Sequence, residues 1–306
     1  MKENRPSLVL IIAAFFAIYV IWGSTYLFNK IAVAEIPPFF LAGVRFITAG
    51  GLIFGIAKLS GQSISITKRQ FWNTALLGFL FLSFGNGMVV WALRFVDSNF
   101  AALEISAQPL VILLMMWVLQ GKKIQPMSFF GVLLGMLGIY LLVSQKNILQ
   151  QENSVVGMIM IFTAMLAWAY ASLFVSKADL PSNYFVNTGY QMLTGGIMLF
   201  LLSMVFQERW SLPTSWSTET QWSMFLLVIL GSIVAFTSFN FLLKVVSPEK
   251  VATNTYVNPI VAMILGWYFL EEQITIQSII AAAILLTGVY FINTKKTLKL
   301  LNRFKK

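Results

Sequence analysis

The feature that most limits what this chain can become is a succession of apolar runs, each about 20 residues long, reaching from Leu8 to Asn293. A helix rises about 1.5 Å per residue, so such a run crosses roughly 30 Å of hydrocarbon. The runs are continuous rather than alternating, which fits helices and not the strands of a membrane barrel. Only 10% of the 306 residues are charged, against about 25% in a soluble domain, too few to build a water-facing surface. The sequence therefore predicts an all-α polytopic membrane protein with ten transmembrane helices. They fall near 8–34, 38–58, 70–93, 97–119, 126–144, 154–177, 183–207, 221–244, 248–270 and 275–294. Short connections are punctuated by Pro37-Pro38, Asp97-Ser98, Gly121-Lys122-Lys123 and Ser247-Pro248. The first run follows Lys2 and Arg5, is too long for a secretion signal and has no small-x-small cleavage site. It reads as an uncleaved first span.

Ten spans put both termini on one side. Of the 21 Lys and Arg, only Lys30, Arg94, Lys146 and Arg209 then fall in the opposite loops, and Arg45 lies within a span. The other sixteen share the side of the termini, six of them in a tail over 295–306. The positive-inside rule makes that side the cytoplasm, so a net charge of +10 reflects topology and not nucleic-acid binding. The tail reads first as a topological anchor, with an anionic-lipid or protein site as the alternative. The absence of Cys and His removes disulfides, thiol chemistry and the usual zinc ligands.

The two halves resemble each other. At an offset of 146, Trp22 meets Trp168, Leu27 meets Leu173, Phe28 meets Phe174, Thr48 meets Thr194 and Gly50 meets Gly196. At an offset of 150, Ala102 meets Ala252, Pro109 meets Pro259, Trp117 meets Trp267, Gly138 meets Gly288 and Tyr140 meets Tyr290. Five spans per half is an odd number, so the second half must enter the membrane inverted. The units are 1–146, 147–294 and the basic tail 295–306. Inverted repeats suit alternating access around a site near mid-membrane.

At these residues the chain resembles the EamA-type permeases of the drug/metabolite transporter superfamily. The matching stretches are Trp22-Gly23-Ser24-Thr25 with Lys30, Gly43-Val44-Arg45-Phe46, Gly85-Asn86-Gly87 with Trp91-Ala92, and Ala101-Ala102-Leu103 running to Pro109. The repeat ends Gly138-Ile139-Tyr140 and Gly288-Val289-Tyr290 also fit. The resemblance spans the chain and implies two inverted five-helix repeats. It also implies a multi-pass inner-membrane permease that exports small metabolites such as amino acids. Of the family's usual apolar-Gly-Glu turn the second half keeps the Glu, in Leu270-Glu271-Glu272, and the first half has Gln120-Gly121-Lys122-Lys123 instead, which predicts a local loop difference there.

Two charges lie well inside spans, Arg45 and Glu104, each about 10 Å deep from the same side. Lone ions at that depth are costly, which predicts that they pair. The pair is open to two readings, a helix lock or a substrate and proton site. Glu104 is the only good protonatable candidate within a span. Asn86 lies at similar depth; Gln191 and Asn254 align with Arg45 and Glu104. Glu104/Gln108 and Asn254/Asn258 are i, i+4 pairs expected to share a face toward a cavity, or else to form interhelical hydrogen bonds. Pro109 and Pro259 follow these pairs and predict kinks, with carbonyls freed at Ile105 and Thr255. Tyr19, Trp22 and Tyr26 form a stripe, repeated at Trp168 with Tyr170 nearby, and Tyr256 follows Asn254. Such aromatics serve packing or, lining a cavity, an amphipathic solute. Gly50-Gly51 and Gly195-Gly196 read as close-packing points.

The expected activity is secondary transport of a small-molecule solute, with proton coupling through Glu104, by a chain that can act as a monomer in the bilayer. No Walker A pattern occurs, no cofactor is expected, and one buried carboxylate without His or Cys is a poor basis for a membrane enzyme acting on lipid or isoprenoid. A facilitative channel and a sensor or scaffold are the remaining alternatives.

Overall fold

The computed structural model describes residues 7–121, 124–145, 152–246, 251 and 254–293, with backbone alone for Lys244, Tyr256, Ile292 and Asn293. The basic tail, the Lys122-Lys123 turn, Lys146 and the Ser247-Pro248 punctuation lie outside the described residues. The described residues are helical throughout their long elements and contain no strand.

Eight helices are long and apolar enough to cross a membrane. They are α1 (Leu8–Glu35), α2 (Pro38–Leu59), α3 (Lys68–Ala92), α4 (Ser98–Gln120), α5 (Pro126–Val143), α6 (Ser154–Val175), α7 (Tyr184–Val205) and α8 (Thr218–Leu243). Two further apolar helices are shorter: α9 (Asn254–Leu270) and α10 (Ile276–Asn293). Successive helices run in alternating directions. The end of the bundle holding the start of α1 is called here the terminal end, and the opposite end the distal end.

Local sequence sets the helix limits. Proline opens α2 and α5, where its missing N–H is not needed. Thr67 and Gln70 form a capping box at the start of α3. Left-handed residues follow four helices: Gly61 (φ 68°) after α2, Gly121 (φ 62°) after α4, Gln207 (φ 51°) after α7 and Glu271 (φ 54°) after α9. That conformation lets a chain leave a helix while still satisfying its last carbonyls.

Two antiparallel pairs, α2 with α7 and α5 with α10, pack along their lengths. Glycines allow the approach: a Cβ on Gly196 would sit 2.7 Å from the Ile47 nitrogen, and one on Gly288 would sit 2.7 Å from the Gly131 oxygen. Gly50 and Gly195 are equally enclosed, whereas Gly51, expected to pack, faces nothing within 4 Å. Between these pairs, α1 lies against α8 and α9, and α6 against α3 and α4. Phe46, Phe81, Phe100 and Ile18 are fully buried, while Trp117, Leu119, Phe129, Tyr140 and Ile264 are exposed. An apolar exterior around a partly polar interior matches a hydrocarbon solvent, which rewards outward apolar groups and penalises outward polar ones.

Candidate functional site

Three helices leave α-helical geometry midway. Ala17–Ile21 in α1, Gly78–Asn86 in α3 and Leu227–Phe236 in α8 are π-helical. A π turn shifts the hydrogen-bond register and turns carbonyls toward other partners, often at functional sites. Polar contacts to neighbouring helices gather at these segments. Trp22 Nε1 donates to the Gly231 carbonyl at 3.2 Å, and Arg45 Nε donates to Ser232 Oγ at 2.8 Å. Ser83 Oγ donates to the Gly195 carbonyl at 2.8 Å. With its amide oriented to donate, Asn258 reaches the carbonyls of Tyr19 at 2.7 Å and Ile18 at 2.9 Å.

An aromatic cluster fills the space between α1, α3, α6 and α8. Trp22 meets Trp168 edge-on at 6.0 Å and Phe239 at 5.1 Å; Phe81 meets Trp168 at 4.7 Å. Phe236 closes the group against Trp22 and Phe81. The π turn Ala17–Ile21 falls within the expected stripe of Tyr19, Trp22 and Tyr26, and all three side chains pack against the main core. Tyr19 also meets Phe15 in a tilted contact, ring centres 5.6 Å apart. Tyr26 is half-buried one turn beyond Trp22. Tyr170 faces outward, 46% exposed.

Arg45 and Glu104 are both buried, 3% and 4% exposed, as their depth predicts. They do not meet. Arg45 Nη1 faces Asn29 Oδ1 at 3.4 Å, its Nε is held by Ser232, and its guanidinium lies 4.8 Å from the Phe46 ring centre. Glu104 Oε2 is buried without a hydrogen-bond partner. The expected ion pair is therefore absent from this conformation. The physical reason is topological: α2 packs chiefly on α7 and α8, with α3 and α1 beside it, while the start of α4 packs on α9, α6, α1 and α5.

Glu104 and Gln108, expected to share a face, fall on either side of a break in their helix. α4 breaks at Ser106-Ala107 between Ser98–Ile105 and Gln108–Gln120, and Pro109 sits in the first turn of the second segment. Gln108 Nε2 instead donates to the Met165 carbonyl of α6 at 3.0 Å. In α9 the helix runs unbroken through Pro259. Asn254 and Asn258 there do meet, with Asn254 Nδ2 3.3 Å from the Asn258 oxygen. Tyr256's side chain lies outside the described residues.

Asn86 is half-buried at the end of the π segment in α3, its Oδ1 enclosed and unpartnered. Gln191 is fully buried in an amide cluster near the terminal end. Its Nε2 reaches Asn187 Oδ1 at 3.3 Å, and Asn240 Nδ2 donates to Thr188 Oγ1 at 2.9 Å. Asn187 and Asn240, like Asn29 and Ser232, were not singled out from the sequence. Each is an amide or hydroxyl inside an apolar run, a signal that was legible.

The distal end is closed by carboxylates, each accepting backbone N–H groups at the start of a helix in the other half of the chain. Glu272 takes Ser98 N at 2.7 Å, Ser98 Oγ at 3.0 Å and Asn99 N at 3.0 Å. Glu208 takes Phe39 N at 3.1 Å and Phe40 N at 2.8 Å, and Glu35 takes Ser217 N at 2.9 Å. Lys30 donates to the last carbonyls after α3, Leu93 at 2.8 Å and Val96 at 2.7 Å. Anions at helix N-termini and cations at C-termini complement the helix dipoles. A cavity of about 530 Å³ opens here, lined by Lys30, Glu35, Asp97, Glu219 and Glu272. Among the described residues, no three acidic side chains converge as metal ligands would.

An apolar-jacketed helical bundle with buried polar groups is a multi-pass membrane protein. The EamA-like transporter family matches residues 8–144 and 155–294, and the chain belongs to that family. It is a transporter and not an enzyme. It is 32% identical over 292 residues to an uncharacterized inner membrane transporter, YedA, of Escherichia coli (strain K12), covering 95% of this chain and 93% of that protein. It is 22% identical to an uncharacterized transporter, YoaV, of Bacillus subtilis (strain 168), covering 94% and 97%. It is 24% identical to a WAT1-related chloroplastic protein of Arabidopsis thaliana, covering 95% and 73%. A chain from a solved crystal structure superposes with a TM-score of 0.67 at 19% identity, covering 98% of this chain and all of that one; that likeness concerns the fold.

Proposed function

We propose that the chain is a secondary transporter built as two inverted five-helix repeats over 1–146 and 147–294. It moves a small organic solute by alternating access around the Trp22–Trp168 cluster. The observation that carries this reading is a pair of matched clamps. Gln108 of α4 donates to the Met165 carbonyl of α6, and Asn258 of α9 donates to the Tyr19 carbonyl of α1. Gln108 and Asn258 are 150 residues apart, and Tyr19 and Met165 are 146 apart, the two offsets that align the halves. The left-handed residues support the same pairing: Gly61 with Gln207 at 146, and Gly121 with Glu271 at 150. So do the π segments of α3 and α8, and the meeting of Trp22 with its counterpart Trp168. Two related packings of one architecture are what alternating access requires.

Both termini lie in the cytoplasm, on the placement of basic residues, and the membrane is a bacterial inner membrane, as for the YedA relative. Net flux is outward, on the family resemblance. Glu104 carries a proton, since it is buried, lies beside the Ser106-Ala107 break and has an unpartnered oxygen.

The test is flux in reconstituted vesicles under an imposed pH gradient, with a solute chosen by ligand-induced thermal shifts across amino acids and organic acids. Glu104→Gln is expected to abolish accumulation against the gradient while leaving solute exchange. A Glu104→Gln variant that concentrates solute as the parent does would remove Glu104 as the coupling group. Flux that does not saturate in the parent would remove the transporter mechanism in favour of a channel.

A further inference from the structure

Arg45 is a buried, charged group with no counter-charge in its reach among the described residues. Its three nitrogens see only neutral groups: Nε has Ser232 Oγ, Nη1 has a long contact to Asn29, and Nη2 has no hydrogen-bond partner among the described residues. Three carboxylates at the same end of the bundle, Glu208, Glu272 and Glu35, are committed to backbone N–H groups of α2, α4 and α8. Glu104 is held elsewhere by the topology. A lone guanidinium in a membrane span costs several kcal/mol, so its retention without a carboxylate marks a place where a negative charge arrives from outside the protein.

The surroundings say what else that anion carries. Arg45, Thr25 and Trp22 converge on Gly231: a Cβ there would lie 2.8 Å from Thr25 Cγ2 and 3.0 Å from Arg45 Nη2. The Gly231 carbonyl holds Trp22 Nε1. The guanidinium therefore adjoins the indole that opens onto Trp168 and Phe239. One pole offers fixed N–H donors matched to carboxylate geometry; the other offers several ring faces and edges.

We propose that Arg45 is the anion-binding pole of the solute site, and that the transported solute is a carboxylate-bearing amphiphile whose apolar body packs on the Trp22–Trp168–Phe239 surface. The proposal rests on the transporter reading above and names its substrate class. Arg45 touches the solute through Nη2 and Nη1, and Ser232 holds the guanidinium in register by its bond to Nε. Glycine at 231 lets Thr25 and the guanidinium pack directly against the α8 backbone.

The experiment uses the full-length protein in detergent and three probes of matched size: phenylacetate, its neutral amide phenylacetamide, and the cation phenethylamine. Binding is read by thermal shift and by tryptophan fluorescence. The parent is expected to bind phenylacetate at least tenfold more tightly than either of the others. Asn29→Asp places a carboxylate against Nη1 and should erase that preference to within about threefold without removing the arginine. Arg45→Gln should do the same. Equal binding of acid and amide by the parent overturns the proposal, as does failure of all three probes to bind. An acid preference that survives Asn29→Asp overturns it too, and that variant decides the question if Arg45→Gln does not fold. Saturable vesicle exchange of some other solute with no preference for anions would overturn the anion pole and leave the transporter reading standing. Phenylacetate binding with no flux of any solute would do the reverse.

Discussion

The two ends of the bundle are joined in different currencies of interaction. At the distal end, Glu35, Glu208 and Glu272 cap the starts of α8, α2 and α4, each reaching from one half of the chain to the other. At the terminal end, contacts between the halves are mostly exposed and use single bonds. Gln70 Nε2 reaches Asp179 Oδ1 at 3.1 Å, Asn73 Nδ2 reaches the Asp179 carbonyl at 2.9 Å, and Asn183 Nδ2 reaches Gln62 Oε1 at 2.9 Å. Hydrogen bonds to an ionised acceptor are about twice as strong as neutral ones; the terminal end has such an acceptor in Asp179, but that bond is exposed and competes with water, whereas the Glu272 bonds are buried and the Glu208 bonds part-buried. The conformation described here is thus bolted at the distal end and only lightly tied at the terminal end. For a transporter this asymmetry predicts which end separates more readily.

The absence of native cysteine makes the prediction measurable. A cysteine in place of Ala101, fully buried three residues into α4, reports opening at the distal end. One in place of Thr188, fully buried near the start of α7, reports opening at the terminal end. The largest effect is expected for Glu272→Ala, which removes the acceptor of three bonds and leaves two backbone donors unpaired at a buried helix start. A loss of about 2 kcal/mol is expected in stability. If that energy holds the distal end shut, labelling at the Ala101→Cys site should rise about 30-fold. Glu208→Ala removes the acceptor of two bonds at the start of α2 and should cost about 1 kcal/mol, with labelling up about fivefold. If both variants label no faster than the parent, the caps stabilise helices without gating the end.

Much of this arrangement could be read in advance. Hydropathy located the helices because the solvent they face is uniform along each run. Arg45 and Glu104 stood out because charge at their depth is rare, and their burial is as expected. Their pairing was not legible, since depth along a helix axis says nothing about which neighbour lies around it. The π turns in α1, α3 and α8 were invisible for a different reason: a register shift of one residue leaves hydropathy unchanged. The break at Ser106-Ala107 was half legible, because Pro109 signalled disruption but not its position ahead of the proline. Glu272 was noticed only as a remnant of a motif. Its partner Ser98 is 174 residues away, and only the fold brings them together.

The smallest effect belongs to the terminal end, and it decides whether the comparison between the ends holds. Asp179→Ala removes the side-chain acceptor of Gln70 but leaves the backbone carbonyl that accepts from Asn73. The lost bond is exposed and reaches a neutral amide, so about 0.5 kcal/mol is the most it should contribute. Equilibrium stability is then nearly unchanged. A change of that size still alters an opening equilibrium about twofold, so labelling of the Thr188→Cys reporter should double while the Ala101→Cys reporter is unmoved. The contrast separates local loosening from a coupled transition. In strict alternating access, freeing the terminal end draws population away from any conformer open at the distal end. Labelling at Ala101→Cys would then stay level or fall. A parallel rise at both reporters would mean that the bundle merely softens as a whole. Should Asp179→Ala instead cost as much as Glu272→Ala, the two ends are equally held, and the difference between buried helix caps and exposed ties has no mechanical meaning.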